Sequence, residues 1–149
     1  MAKGGKADGG LRSVMMTNLR KLGGHWQPIE TGMIVSGVLD FNYCINGKEG
    51  WVECKRTSAW KVGVDGAQCG WADQRVRNGG RVYLAVRRLH EGGPRTKPRD
   101  ELWLCRHTAM RPLTLGKGLN DLAKADLVGV WVNGPAVWDW PAIAKALQT

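Results

Sequence analysis

The dipeptide Asn46-Gly47 constrains this chain more than any other short segment. It separates two runs that are rich in β-branched and aromatic residues, 38–45 and 51–54. Asn-Gly favours the two-residue turn of a β-hairpin, because both turn positions need a positive φ. A two-residue turn at this point places Asp40 directly opposite Glu53 on the paired strands.

Asp40 and Glu53 would then form a pair of like charges on one face of the hairpin, with Cβ atoms about 4.5–5.5 Å apart. Lys55 shares that face, because alternate residues of a strand point the same way. Like charges directly opposite each other destabilise a sheet, so the placement predicts a compensating cation. The alternative is a surface cluster of Asp, Glu and Lys held by weak ion pairs.

A divalent metal fits this pair of carboxylates better than Lys55 alone. Mg²⁺, or Mn²⁺ as its substitute, prefers carboxylate oxygen and keeps waters that suit a phosphate substrate. The metal can polarise a phosphoryl oxygen and make water a nucleophile, and Lys55 can orient that water or neutralise developing charge. The pattern therefore predicts hydrolysis of phosphodiesters.

The remaining periodicity predicts strands and helices in alternation. A helix is expected over 11–22 and a short edge strand over 25–30. A second helix is expected over 65–78, with Asp65 as its N-cap and Gly79-Gly80 as its end. Further elements are predicted as strands at 81–86, 102–105 and 128–132 and helices at 119–125 and 141–147. This order indicates an α/β fold, a mixed central β-sheet with flanking helices.

The chain length of 149 residues is typical of a single domain. Residues 1–10 are rich in Gly and Lys and are expected to be a disordered basic tail. Residues 11–149 are expected to form one domain, with a core at about 25–105 and a C-terminal extension at 106–149 whose role the sequence leaves open.

Basic residues outnumber acidic ones, 22 to 13, for a net charge of +9. This excess favours a polyanionic partner such as DNA, and residues 75–99 hold eight basic residues and one acid. A solvated basic face is the alternative. Trp60 and Trp71 are candidates for stacking on an unpaired base, although Trp71 on a helix is more often core. The expected DNA contacts are Arg56, Arg75, Arg77, Arg81, Arg87, Arg88 and Lys97.

Several classes of protein fit the sequence poorly. Its four cysteines form no Cys-x-x-Cys pair and its three histidines are scattered, so no zinc site is expected. No signal peptide and no long apolar run is evident, so we expect a reducing cytoplasm, neither disulfides nor a membrane span.

Residues 37–55, GVLDFNYCINGKEGWVECK, resemble the core motif of the PD-(D/E)xK nucleases: an acid, a hairpin and then Glu-x-Lys. Residues 68–80, QCGWADQRVRNGG, followed by RVYLAV, resemble the next helix and strand of Holliday junction resolvases and VRR-NUC-type nucleases. The resemblance covers roughly residues 25–88. It implies a restriction-endonuclease-like α/β core, Mg²⁺ dependence and a homodimer that cuts branched DNA. Such small domains are common in phages, so a phage origin and the host cytoplasm are expected.

Carried over by position, the resemblance makes Asp40 and Glu53 metal ligands and Lys55 the catalytic lysine. The backbone carbonyl of Cys54 becomes a further ligand to the metal. Gln68 becomes a polar residue at the edge of the site. An equally good interpretation pairs Gln68 with Asp65 in a helix-capping box.

The chain departs from the family at the first helix, where many relatives carry a further Glu. Residues 11–22 contain no acid, and Leu39 replaces the usual Pro before the Asp. Glu30 is the only acid between that helix and Asp40, so it is the candidate third carboxylate, both catalytic and metal-binding. The alternative is an exposed Glu on an edge strand.

Three functions remain open at this point. The first is a Holliday junction resolvase. The second is a nuclease of the same chemistry that acts on flaps, nicks or single strands. The third is a non-catalytic nucleic-acid-binding module.

Overall fold

A computed structural model of the chain describes residues 8–30 and 37–149. One six-stranded β-sheet forms its centre, with the strands side by side in chain order. Neighbouring strands run antiparallel except β3 and β4, which are parallel. The strands are β1 (His25–Pro28), β2 (Phe41–Ile45), β3 (Lys48–Thr57), β4 (Val82–His90), β5 (Arg99–Arg106) and β6 (Leu127–Trp131). The predicted α/β class with a mixed sheet and flanking helices is confirmed.

Helices cover both faces of this sheet. They are α1 (Leu11–Arg20), α2 (Gly66–Arg77), α3 (Met110–Thr114) and α4 (Trp140–Ala146). Helices α1 and α4 pack on one face, and α2 and α3 pack on the other. Two parallel strands need a long crossover connection that passes over one face of the sheet. Helix α2 lies in this connection between β3 and β4.

The hairpin of β2 and β3 has the predicted register. Asn46 and Gly47 have φ values of 50° and 75°, as the two-residue turn requires. Phe41 pairs with Val52, so the same register continued by one residue sets Asp40 opposite Glu53. Val52 and Cys54 of β3 therefore pack against α1, while Glu53 and Lys55 point to the opposite face.

Leu39 does not follow this alternation. Strand alternation would place Leu39 on the same face as Phe41, but Leu39 is buried in the core under α2 and Phe41 in the core under α1. The reason is that β2 begins only at Phe41, so the strand alternation does not extend back to Leu39.

Two other expectations are also corrected. The predicted helix over 119–125 is two short 3₁₀ turns, Leu119–Asp121 and Lys124–Asp126, because Leu122 and Ala123 between them have extended backbone. The end of the predicted tail is ordered, because the Asp8 carboxylate accepts hydrogen bonds from the backbone N–H groups of Gly10 and Arg12. Residues 1–7 of that tail lie outside the described residues.

Candidate metal centre

A cleft of about 530 Å³ opens where β1 ends and β2 begins. Helices α1 and α2 both start at this cleft, one from each face of the sheet. The cleft brings together all five residues predicted to be catalytic, with five that were not. Its lining residues are Asp8, Arg12, Ser13, Glu30, Asp40, Glu53, Cys54, Lys55, Asp65 and Gln68.

Glu53 is the least satisfied residue of the cleft. It is only 2% exposed, and its Oε2 atom has no hydrogen-bond partner within the described part of the chain. Its Oε1 atom lies 3.8 Å from Lys55 Nζ, too far for a strong hydrogen bond. Burial raises the pKa of Glu53 to about 10, with a second contribution from the Asp40 carboxyl. A buried carboxylate in this setting needs a cation or a proton.

Asp40 is held in place by the backbone of β3. Its Oδ2 atom accepts a hydrogen bond of 2.7 Å from the Cys54 N–H. The Cys54 side chain points into the core, with its Sγ 3.9 Å from Met15 Sδ, so only the backbone of Cys54 lines the cleft. These contacts fix the Asp40 carboxylate beside Glu53.

The available donors fit Mg²⁺. Asp40, Glu53 and the carbonyl of Cys54 offer oxygen, the donor that Mg²⁺ prefers. Across residues 8–30 and 37–149, no three His, Cys, Asp or Glu side chains are close enough to enclose a metal. Mg²⁺ does not require such an enclosure, because it keeps several of its waters and binds through one or two carboxylates. The orphaned Oε2 of Glu53 is a group that such an ion would satisfy.

Glu30 lies at the rim of the cleft and is paired with Arg12. Its carboxylate is 2.9 Å from Arg12 Nη2, and its side chain is 79% exposed. Arg12 Nη1 also donates to the backbone carbonyls of Ile29 and Asp40, at 3.2 and 3.4 Å. Arg12 therefore ties α1 to the segment that presents Asp40. The role of Glu30 as a third carboxylate stays a prediction.

Arg12 and Asp8 are site residues that the sequence reasoning missed. Arg12 stands on the polar side of α1, where no motif marks it. Asp8 precedes the first apolar residue of α1 and accepts two backbone N–H groups there. The preference of Asp for the start of a helix is the signal that could have placed it.

Asp65 and Gln68 cap α2 and also line the cleft. The Asp65 carboxylate accepts from the backbone N–H of Gln68, and the Gln68 amide oxygen accepts from the Asp65 N–H at 3.3 Å. The capping-box interpretation is confirmed. Gln68 also lines the cleft, and its role as a residue of the active site stays a prediction.

Two of the expected DNA contacts are internal ion pairs. Arg87 forms a bidentate pair with Asp100, at 2.8 and 2.7 Å. Arg88 is 7% exposed and donates to Glu101 and to the Ala59 carbonyl, each at 3.0 Å. The expectation that Arg88 contacts phosphate disagrees with this burial, because a guanidinium enclosed by protein partners is withdrawn from a ligand.

The other expected contacts lie at the surface. Arg81 donates to the backbone carbonyls of Glu49 and Thr149. Arg75 lies over the rings of Trp51 and Trp71. Arg56, Arg77 and Lys97 are exposed.

No protein-family model matches this sequence, and no curated protein is significantly similar to it. Within the described ranges, no helix is both long enough and apolar enough to cross a membrane.

Proposed function

We propose that this protein is a Mg²⁺-dependent DNA endonuclease with a PD-(D/E)xK active site. The observation that carries the proposal is the buried Oε2 of Glu53, which lacks a partner in the described chain and lies beside Asp40. The order of an acid, a hairpin and Glu-x-Lys supports it from the sequence.

In this proposal Asp40, Glu53 and the Cys54 carbonyl hold the metal. When bound, the metal supplies Lewis-acid chemistry to the scissile phosphate. Lys55 is 15% exposed in its side chain and places its ammonium group in the cleft, where it orients water or offsets charge on phosphorus. Arg12 maintains the position of Asp40 through its main-chain contact.

Phosphate affinity has to come from outside this acidic cleft. Strand β3 ends at Thr57, which pairs with Arg88, whereas β4 and β5 continue to the pair His90 and Arg99. Residues 90–99 are here called the basic arm. They therefore extend past the C-terminal end of β3, the end that points away from the cleft. Arg95 and Lys97 in the arm are exposed. We propose that the arm contacts the DNA backbone.

The deciding experiment is a cleavage assay on a four-way junction, a flap, a nicked duplex, a single strand and a linear duplex. We expect cleavage with Mg²⁺ or Mn²⁺ and none with EDTA. Ca²⁺ should permit binding with little cleavage. Full activity in EDTA contradicts the assigned site. Binding without cleavage under every metal condition favours the non-catalytic binding module.

A further inference from the structure

Two half-buried tryptophans, packed against the core under α2, form a cluster with an exposed arginine close to the candidate metal centre. The ring centroids of Trp51 and Trp71 are 4.9 Å apart in an edge-to-face arrangement. The guanidinium of Arg75 lies 5.3 Å from the Trp51 centroid and 4.8 Å from that of Trp71. We call these three residues the Trp–Arg platform.

The platform and the metal centre share one face of the sheet. Trp51 precedes Glu53 by two residues on β3, so both side chains point to the α2 side. Their Cα atoms are therefore about 6–7 Å apart along the strand. Stacked bases are about 3.4 Å apart, so this separation corresponds to one or two nucleotides.

The charge of Arg75 is available to a ligand. Arg75 is exposed, and among the ion pairs of the described residues none includes it. A second cluster in the protein makes the contrast clear. There Arg88 lies 3.7 Å from the centroid of Trp60, but it is buried and paired with Glu101. That cluster is neutralised internally, whereas the platform combines an aromatic surface with a free cation.

Open space lies on either side of Arg75. One cleft of about 280 Å³ is formed by Trp71, Gln74, Arg75 and Asn78. Another, of about 300 Å³, lies between Arg75, Trp51 and Arg81. The acid in this second cleft is Glu49, whose carboxylate accepts from the Asn42 amide. The two positive charges of Arg75 and Arg81 exceed the single negative charge of Glu49, so the cleft favours a ligand with an anionic group. The neighbouring Trp rings favour a ligand that also has a flat ring.

We propose that the Trp–Arg platform binds an unpaired DNA base one or two nucleotides from the scissile phosphate at the candidate metal centre. This inference rests on the proposed function and narrows its substrate to DNA with unpaired or parted strands. Stacking on Trp and Arg tolerates any base, because every base has a π-face. A base inside a duplex cannot offer that face, since its neighbours cover it.

The test measures binding without cleavage, using the full chain in EDTA. The probe is a single-stranded oligonucleotide that carries 2-aminopurine, a fluorescent base, at alternate positions, alone or annealed to its complement. We expect the wild-type protein to quench the fluorescence of the single strand on binding. Arg75→Ala should raise the Kd for the single strand about 5-fold or more, the lower end of the contribution of one stacked base.

Arg77→Ala is the matched control, because Arg77 is exposed on the same helix and carries the same charge, whereas among the described residues it is Arg75 whose guanidinium lies over Trp51 and Trp71. We expect it to weaken binding to single strand and duplex by the same small factor. Arg75→Lys keeps the positive charge but lacks the planar guanidinium. It should therefore no longer bind the single strand more tightly than the duplex. Trp71→Leu, checked for folding by circular dichroism, should behave like Arg75→Ala.

The proposal is overturned if Arg75→Ala and Arg77→Ala weaken single-strand binding equally, or if binding leaves the fluorescence unquenched. Either result reduces Arg75 to an ordinary phosphate contact. Because these affinities are measured without metal, a failure of Mg²⁺-dependent cleavage would leave them unchanged, and the two proposals fail separately.

Discussion

At the scale of single residues, Glu53 departs most from what a stable fold favours. A buried carboxyl oxygen without a partner costs free energy, and the adjacent Asp40 adds repulsion. The hairpin nevertheless fixes both groups, through the Asn46-Gly47 turn and the hydrogen bond from Cys54 to Asp40. Such local costs concentrate at functional sites, where binding of a ligand removes them.

We therefore predict opposite effects of Glu53→Gln on activity and stability. Cleavage should fall on the order of 10²-fold or more, because the variant loses a charged ligand at the point of transition-state stabilisation. In EDTA at pH 8 the variant should be more stable than the wild type by at least about 1.4 kcal/mol, the equivalent of one pKa unit.

The sign follows from the raised pKa of Glu53, which changes from an ordinary 4.5 to about 10 on folding. Between those values the folded state binds more protons than the unfolded state, so wild-type stability falls as pH rises. At pH 4 the carboxyl is mostly protonated in both states, so the advantage of the variant should shrink. Thermal unfolding at both pH values measures the difference in stability between the variant and the wild type.

The control is Glu49→Gln, which changes an exposed carboxylate of the same strand. A less stable Glu53→Gln in EDTA would make Glu53 a structural residue.

Glu30 gives a second prediction at this scale. Removing its charge by Glu30→Gln weakens the pair with Arg12, which also holds the segment carrying Asp40. We expect turnover to fall about 10- to 100-fold, as for residues that orient metal ligands, and the melting temperature to stay level. Steady-state kinetics on the substrate that is cleaved fastest measures the turnover. Turnover near that of the wild type would leave Glu30 an exposed rim residue.

At the scale of elements, sequence reasoning succeeded where local chemistry decides the structure. Asn46-Gly47 determined the β2–β3 register, and Asp65 with Gly79-Gly80 marked the ends of α2. It failed where a distant partner decides. Strand β3 continues to Thr57 because β4 pairs with it there, and β4 continues to His90 because β5 does. Neither extension has a local signal.

The cleft shows the same division. Asp40, Glu53 and Lys55 were predictable because they share one hairpin. Arg12 and Asp8 were not, since they reach the site only when α1 packs on the sheet, a long-range contact with no motif of its own.

The basic arm supplies the prediction at the element scale. Replacing Arg95 and Lys97 together by Ala should weaken DNA binding and reduce the slope of log K against log salt by about 2. The melting temperature should not change, because both side chains are exposed. Gel-shift titrations at several salt concentrations measure the slope.

Arg87→Ala is the informative contrast for the arm. It breaks the bidentate pair with Asp100 at the base of the arm, so it should lower the melting temperature. An unchanged salt slope in the Arg95 and Lys97 variant would remove the arm from the DNA interface.

At the scale of the whole molecule, strand β6 forms one of the two edges of the sheet, with β1 at the other. Among residues 8–30 and 37–149, β6 pairs with β5 alone, and Val130, Val132 and Val137 on or near it are 40%, 50% and 65% exposed. An open strand edge beside exposed apolar side chains is a surface that favours pairing with another chain. A twofold contact there is closed and self-complementary, as a homodimer requires.

A homodimer matters for the proposed resolvase function, because one active site cannot cut two symmetric strands of a four-way junction at once. We predict that the protein sediments as a dimer and binds a four-way junction more tightly than a linear duplex of equal length, with affinity falling steeply as salt rises. Val130→Lys with Val132→Lys should yield a monomer that loses the junction preference yet still cleaves DNA, because the cleft belongs to one chain. A wild-type monomer without junction preference removes the resolvase interpretation. If it cuts flaps or single strands instead, the same Asp40 and Glu53 chemistry serves the alternative substrate, and the Trp–Arg platform accounts for the choice.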